Sequence, residues 1–355
     1  MKGSPHSPAR VMIVEDSLVV RQLLAHIIAR DPRLILAAAV SSAEEALREI
    51  TRVQPDVISM DIRLPGMDGL EATRRIMSDH PTPIVVIAGS VEDSALKISM
   101  NALRAGALSV VEKPVGVTSD GYEAIADTIC TQLYIMSRVP VVRQRSFAWR
   151  HATESDSALR DELTSPQPTL MTIAASTGGP PALAKVLGSL PADFPIPILL
   201  VQHMGAPFME GFASWLDGIT ALDVAIAREQ EIPCAGRVYV APGDRHLLLS
   251  AAGTLQISAS PPLASQRPSA TVMFRSVAKV LGSKGLGVLL TGMGEDGAEG
   301  LVEMRRAGAY TIAEDESTAV VYGMPAAALR MGGVRASLPL DMIASRIAQL
   351  VRDSR

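Results

Sequence analysis

Three stretches run from apolar residues into reactive side chains. LMTIAASTGGP (170–180) ends an apolar run in Ser176-Thr177, turns on Gly178-Gly179 and opens a helical pattern at Pro180-Pro181. FPIPILLVQHM (194–204) runs into His203, and GLGVLLTGMGEDGAEG (285–300) runs into Asp296. Acyl transfer by serine needs a nucleophilic hydroxyl, a base within hydrogen-bond reach, an acid that orients the base, and donors for the oxyanion. Ser176, His203 and Asp296 can fill the first three roles. Glycines around Met293 let backbone N–H groups approach an oxyanion closely. Spacing alone leaves rivals open: Glu295 and Asp244 as the acid, His246 as the base. It also leaves plain structural roles, with Ser176 or Thr177 capping the next helix, His203 as a bonded strand-end residue, and Asp296 capping a helix from Gly297. Neither the chain order Ser, Asp, His nor a GxSxG elbow is present.

A second set of residues is acidic. Glu15-Asp16 follow VMIV, Asp61 follows DVISM, and Lys113-Pro114 come just after LSVV. Carboxylates brought together repel one another unless a hard cation is shared among them, and an all-oxygen set suits Mg²⁺. Asp61 at a strand end can then attack phosphorus, with the metal and Lys113 balancing the developing charge. The plainer reading is that Glu15-Asp16 cap the first helix and Asp61 caps a turn in DIRLPGMDG.

The elements that must position these residues follow from the alternation of apolar runs with amphipathic segments. From Arg10 that alternation gives five βα steps, which predicts a doubly wound parallel sheet of five strands, with ligands at the strand carboxyl ends. Tyr122 to Ser137, with Ile125, Ile129, Leu133 and Met136 on one face, predicts its last helix. Periodicity then lapses. After Thr169 a second α/β unit is expected, with a mainly parallel sheet and a β-hairpin region. The predicted organisation is a flexible start at 1–9, a first domain at 10–138, a linker at 139–168 with a short helix at 157–163, and a second domain at 169–355.

The chain has 355 residues, 48% hydrophobic and only 3% aromatic, so aliphatic side chains must fill both cores. A net charge of −4 argues against a nucleic-acid partner, which would require clustered Lys and Arg. Cys130 and Cys234 lack metal-site spacing. No apolar run has the length of a membrane span and the start MKGSPHSPAR has no signal core, so the expected location is cytoplasmic, without membrane insertion.

From Arg10 to Arg138 the chain resembles the receiver domain of response regulators, on Glu15-Asp16, SMDIRLPGMDG and Lys113-Pro114. The resemblance implies a flavodoxin-like fold in which Asp61 is phosphorylated by a histidine kinase. It further implies that Glu15, Asp16 and Asp61, with the backbone carbonyl of Arg63, hold Mg²⁺, and that Lys113 contacts the phosphoryl group. Two positions depart from the receiver pattern. Ala88 stands where a Ser or Thr is usual, with Ser90 two residues late, and Val110 stands where an aromatic commonly switches.

ASTGGP, VQHM, YVAPGDRHL, FRSVA, TGMGEDGA and VVYGMP, in that order after a receiver, resemble the chemotaxis protein-glutamate methylesterase (CheB) family over nearly the whole chain. That resemblance implies removal of methyl esters from glutamates of methyl-accepting chemotaxis receptors, often with deamidation of receptor glutamines. Ser176, His203 and Asp296 would be the triad and the backbone N–H of Met293 part of the oxyanion hole, with no cofactor at the esterase site. The unphosphorylated receiver would cover the catalytic face. GAPFMEGF (205–212) replaces the loop usual after the histidine. A different class of function also fits the residues taken alone: a non-enzymatic, receiver-linked regulator whose Gly178-Gly179 and Gly292-Met293-Gly294 cradle a nucleotide or meet a partner.

Overall fold

The computed structural model describes residues 7–89, 107, 109–114, 122–139 and 167–352. The chain forms two compact units that divide between Phe147 and Ala148. The first contains β1 (Ala9–Val14), α1 (Leu18–Arg30), β2 (Leu34–Val40), α2 (Ala43–Val53), β3 (Val57–Met60), α3 (Gly69–Asp79), β4 (Ile84–Ala88), β5 (Ser109–Glu112) and α4 (Tyr122–Met136). Its sheet order is β2-β1-β3-β4-β5, and every pair is parallel. Strands β3 and β4 are buried along their whole length. A strand covered on both faces reads as an unbroken apolar run, which is why VISM and IVVIA do not alternate. The order reverses between β1 and β3, and a crevice at their carboxyl ends is where ligands bind in such sheets. The helix expected at 94–105, Ser90 and the linker segment 140–166 lie outside the described residues.

Local chemistry sets the helix starts. Ser17, Ser42 and Asp68 cap α1, α2 and α3 by accepting the N–H of Val20, Glu45 and Glu71. Because Ser17 caps α1, Glu15 and Asp16 are not used up in that role. After β3 the loop folds back, with Gly69 N–H donating to Ile62 O at 2.9 Å. A Cβ on Gly69 would lie 2.1 Å from the Asp61 carbonyl oxygen, so only glycine fits there.

The second unit contains β6 (Leu170–Ala175), α5 (Gly179–Gly188), β7 (Ile198–Gln202), α6 (Met209–Asp217), β8 (Asp223–Ile226), β9 (Arg237–Val240), β10 (His246–Leu249) and β11 (Leu255–Ser258). These are followed by α7 (Ala270–Leu281), β12 (Gly285–Leu289), α8 (Ala298–Arg306), β13 (Tyr310–Glu314), α9 (Met324–Arg330), β14 (Ala336–Leu338) and α10 (Leu340–Arg352). The sheet order is β14-β13-β12-β6-β7-β9-β8, and all pairs are parallel. The hairpin region is β10 and β11, which pair antiparallel outside that sheet. β8 and β9 extend the main sheet.

Connections run outward in both directions from β6, so the switch point falls at the centre of this sheet. The loops after β6, β7 and β12, three adjacent strands, carry Ser176, His203 and Met293 in turn. The core is aliphatic, with Phe194, Phe208, Phe212, Tyr239 and Phe274 as its large buried rings. No helix of the described residues is long and apolar enough to cross a membrane.

Candidate active site

Ser176 is half-buried in the turn that leaves β6. Its N–H donates to Thr291 O at 3.0 Å and its carbonyl accepts the N–H of Gly179 at 2.8 Å. The following helix starts from Gly178, in the left-handed region at φ 77°, with no side-chain cap. The Ser176 hydroxyl is therefore not that helix's cap, and it makes no hydrogen bond among the described residues.

His203 leaves β7 with its N–H on Ala175 O at 3.0 Å. Its Nε2 lies 2.9 Å from Asp296 Oδ2, with side chains only 7% and 3% exposed. Asp296 does not cap the helix that follows it; α8 starts from Gly297 without a side-chain cap. Instead its carboxylate sits at the N-terminus of α7, where Ser269 Oγ donates to Oδ1 at 2.7 Å, Thr271 N–H to Oδ1 at 3.1 Å and Ala270 N–H to Oδ2 at 2.7 Å. A helix N-terminus favours a negative charge. Burial alone would raise the Asp296 pKa, but His203 and the hydrogen bonds from Ser269 and Thr271 outweigh it and bring it down to about 2. An ionised Asp296 can only accept, so the proton on its side of the imidazole belongs to Nε2. In the neutral imidazole Nδ1 then carries the lone pair, and among the described residues it is buried without a hydrogen-bond partner.

The rival residues are committed elsewhere. Exposed Glu295 pairs with Arg330 at 2.9 Å, and exposed Asp244 with Arg267 at 2.7 Å. Both ring nitrogens of His246 are engaged, Nδ1 accepting the N–H of Ser269 at 3.1 Å and Nε2 lying 3.2 Å from Pro261 O.

The loop after β12 is held from beneath. Thr291 N–H donates to Glu314 Oε2 at 2.8 Å, and Thr291 Oγ1 donates to Thr177 O at 2.9 Å. Gly292 O accepts the N–H of Met324 at 2.8 Å. A Cβ on Gly292 would meet Met324 Sδ at 2.3 Å and Ser176 Cβ at 2.7 Å, so this glycine lets the loop close against the serine. Beyond it Met293 is 47% exposed, and its backbone N–H makes no hydrogen bond among the described residues. Glu314 is fully buried, and burial raises its pKa.

In the first unit, Glu15, Asp16 and Asp61 each offer a carboxylate oxygen within 4.8 Å of the others. Glu15 and Asp61 are buried and Asp16 is exposed. Lys113 Nζ lies 2.9 Å from both Glu15 Oε2 and Asp61 Oδ2. Burial raises Glu15, helped by the nearby Asp61 charge, against the opposing effect of Lys113. Burial alone would lower Lys113, but its bonds to Asp61 and Glu15 leave it raised and firmly cationic. Arg63 donates its backbone N–H to Asp61 Oδ1 at 3.3 Å. The cluster's hard oxygen donors, one of them facing solvent, suit a divalent cation. Ala88 and Val110 lie on the adjacent strands β4 and β5, and Ala88 O accepts the N–H of Lys113 at 3.0 Å.

Ser269, Thr271, Gln202 and Glu314 support the site without standing out in the sequence. Ser269 alone carries a signal, a serine just before a helical pattern. Its bond to Asp296 spans 27 residues, which no local pattern encodes.

Residues 171–347 match the CheB methylesterase family, and residues 11–121 match the response regulator receiver domain. The chain is 56% identical over 342 residues to a protein-glutamate methylesterase/protein-glutamine glutaminase of Paramagnetospirillum magneticum, covering 96% of this chain and 97% of that one. It is 41% identical over 345 residues to a namesake from Nitrosospira multiformis, covering 97% of each. The solved catalytic domain of Thermotoga maritima CheB methylesterase is 36% identical, with a TM-score of 0.51 over 52% of this chain and 100% of that domain.

Proposed function

The chain belongs to the CheB methylesterase family, and from that premise we propose that Ser176, His203 and Asp296 are the triad with which it removes methyl esters from glutamate side chains of chemotaxis receptors. The family is enzymatic, which replaces the alternative of a non-catalytic regulator. What carries the residue assignment is the state of His203, whose Nε2 is tied to an ionised carboxylate while Nδ1 is left without a partner. A general base needs a ring nitrogen that no other group occupies, and Nδ1 meets that need while Asp296 holds the other side of the ring.

In the reaction, His203 Nδ1 takes the Ser176 proton as Oγ bonds to the ester carbonyl carbon. The carbonyl oxygen becomes an oxyanion, and the free N–H of Met293 is the donor proposed to meet it. As the intermediate collapses, the imidazolium returns the proton to the departing methoxide and methanol leaves. Water, deprotonated by the same nitrogen, then attacks the acyl-enzyme and releases the glutamate and Ser176. The same steps on a glutamine release ammonia, which is deamidation. Asp296 stays ionised throughout and stabilises the imidazolium. Ser176→Ala tests the nucleophile: methanol release from methylated receptor is expected to vanish while circular dichroism is unchanged. Wild-type rates from that variant would refute the assignment.

The receiver belongs to the same proposal. Asp61 is the phosphate acceptor from a histidine kinase of the chemosensory system. Glu15, Asp16 and Asp61, with the Arg63 carbonyl, would hold Mg²⁺, which when bound screens the charge of the transferring phosphoryl group. Lys113, already against Asp61, supplies the protein's own positive charge there. The enzyme is read as cytoplasmic, acting on receptors of a chemosensory or related signalling system.

A further inference from the structure

Gln202, the last residue of β7, is 2% exposed and sits directly before the base. Its side-chain Nε2 donates two hydrogen bonds, each 2.9 Å long, to the carbonyl oxygens of Ser176 and His203. One amide group thus bridges the turn that carries the nucleophile and the loop that carries the base. Because both acceptors are carbonyls, the nitrogen must face them, which fixes the orientation of the amide. Its Oε1 is then left buried without a partner among the described residues. That oxygen lies where a Cβ on Gly179 would sit, only 2.1 Å away, so the second glycine of STGGP is the space the amide occupies.

Strand pairing does not need this side chain. The β6–β7 register already runs to Ala175 opposite Gln202, and His203 N–H bonds Ala175 O at 3.0 Å. What the amide adds lies beyond the ladder, in the two residues proposed to react. We propose that Gln202 is a positioning residue for the hydrolysis, a clip that sets the distance between the Ser176 hydroxyl and the His203 imidazole. This rests on the triad assignment above. It predicts that the clip matters when the serine is deprotonated and little when substrate binds, because the amide is sealed from solvent.

The test uses the full-length enzyme with Gln202→Met, which keeps the length and loses both donors, and Gln202→Glu, which keeps the shape and turns acceptors toward the two carbonyls. Melting curves for each variant set an assay temperature below the lowest midpoint. Methanol release from methylated receptor gives kcat and KM, and a fluorophosphonate probe gives the rate of Ser176 modification. In both variants kcat is expected to fall 10-fold or more with KM within 2-fold, Glu falling further than Met, and the labelling rate falling in parallel. A kcat within 3-fold of wild type in either folded variant, or a loss confined to KM, overturns the clip. Ser176→Ala runs alongside: if it is inactive while Gln202→Met is fully active, the clip alone fails, and if it is active the triad reading fails with it.

Discussion

At the scale of single residues, charge and proton location decide the chemistry. A carboxyl moved from 3.8 to about 2 stabilises the folded state by roughly 2 kcal/mol. The sign follows from proton binding: the unfolded chain holds the Asp296 proton more tightly, so this stability is present above pH 4 and is lost as pH falls toward about 2. Acid titration of the catalytic unit, followed by circular dichroism, is expected to lose that component in Asp296→Asn. The same variant should lower kcat by about 10⁴-fold, because an amide can hold the wrong imidazole tautomer. Glu314 runs the other way. Burial raises its pKa above the ordinary 4.5, so the fold binds its proton more tightly and stability falls as pH rises from 4.5 through the folded value. Glu314→Gln keeps an acceptor for the Thr291 N–H and removes that titration. Its melting temperature should depend less on pH and be higher than wild type at neutral pH. Ser176, His203 and Asp296, the proposed triad, could be picked out as candidates because each comes after an apolar run. Gln202 and Glu314 were not, since a buried amide and a buried acid at strand ends look like strand residues until their distant partners are known.

Elements deliver these residues by topology. The alternation of apolar and amphipathic runs made the parallel sheets legible. Neighbour order was not legible. Nothing local tells β8 and β9 to extend the main sheet while β10 and β11 pair by themselves, or tells β14 to pair with β13 at the sheet edge. The serine site depends on β6, β7 and β12 ending side by side, which the chain order 6, 7, 12 conceals. The close approach of the β12 loop to the β6 turn gives an element-scale prediction. Gly292→Ala puts a methyl group where Met324 and Ser176 already stand, 2.3 and 2.7 Å away. Overpacking of this kind costs about 1–3 kcal/mol. Thermal denaturation should register that loss, and kcat should fall with it because the methyl displaces either the nucleophile or the Met293 loop.

The molecule as a whole joins a receiver unit to a methylesterase unit. Two features of the acceptor site bear on how they communicate. Lys113 bridges Glu15 and Asp61, so the proposed acceptor has a cation against it. Ala88 and Val110, however, lack the hydroxyl and the aromatic ring that receivers commonly move on phosphorylation. A small-molecule phosphodonor should still label wild-type Asp61, and Asp61→Asn should abolish labelling detected by mass spectrometry. A serine esterase under phosphoryl control is tested by methanol release from methylated receptor with and without that phosphodonor, in wild type and Asp61→Asn. Both proteins are expected to release methanol, with stimulation by the donor in wild type alone. No methanol from wild type in either condition would contradict the esterase, and equal stimulation of Asp61→Asn would contradict control through Asp61.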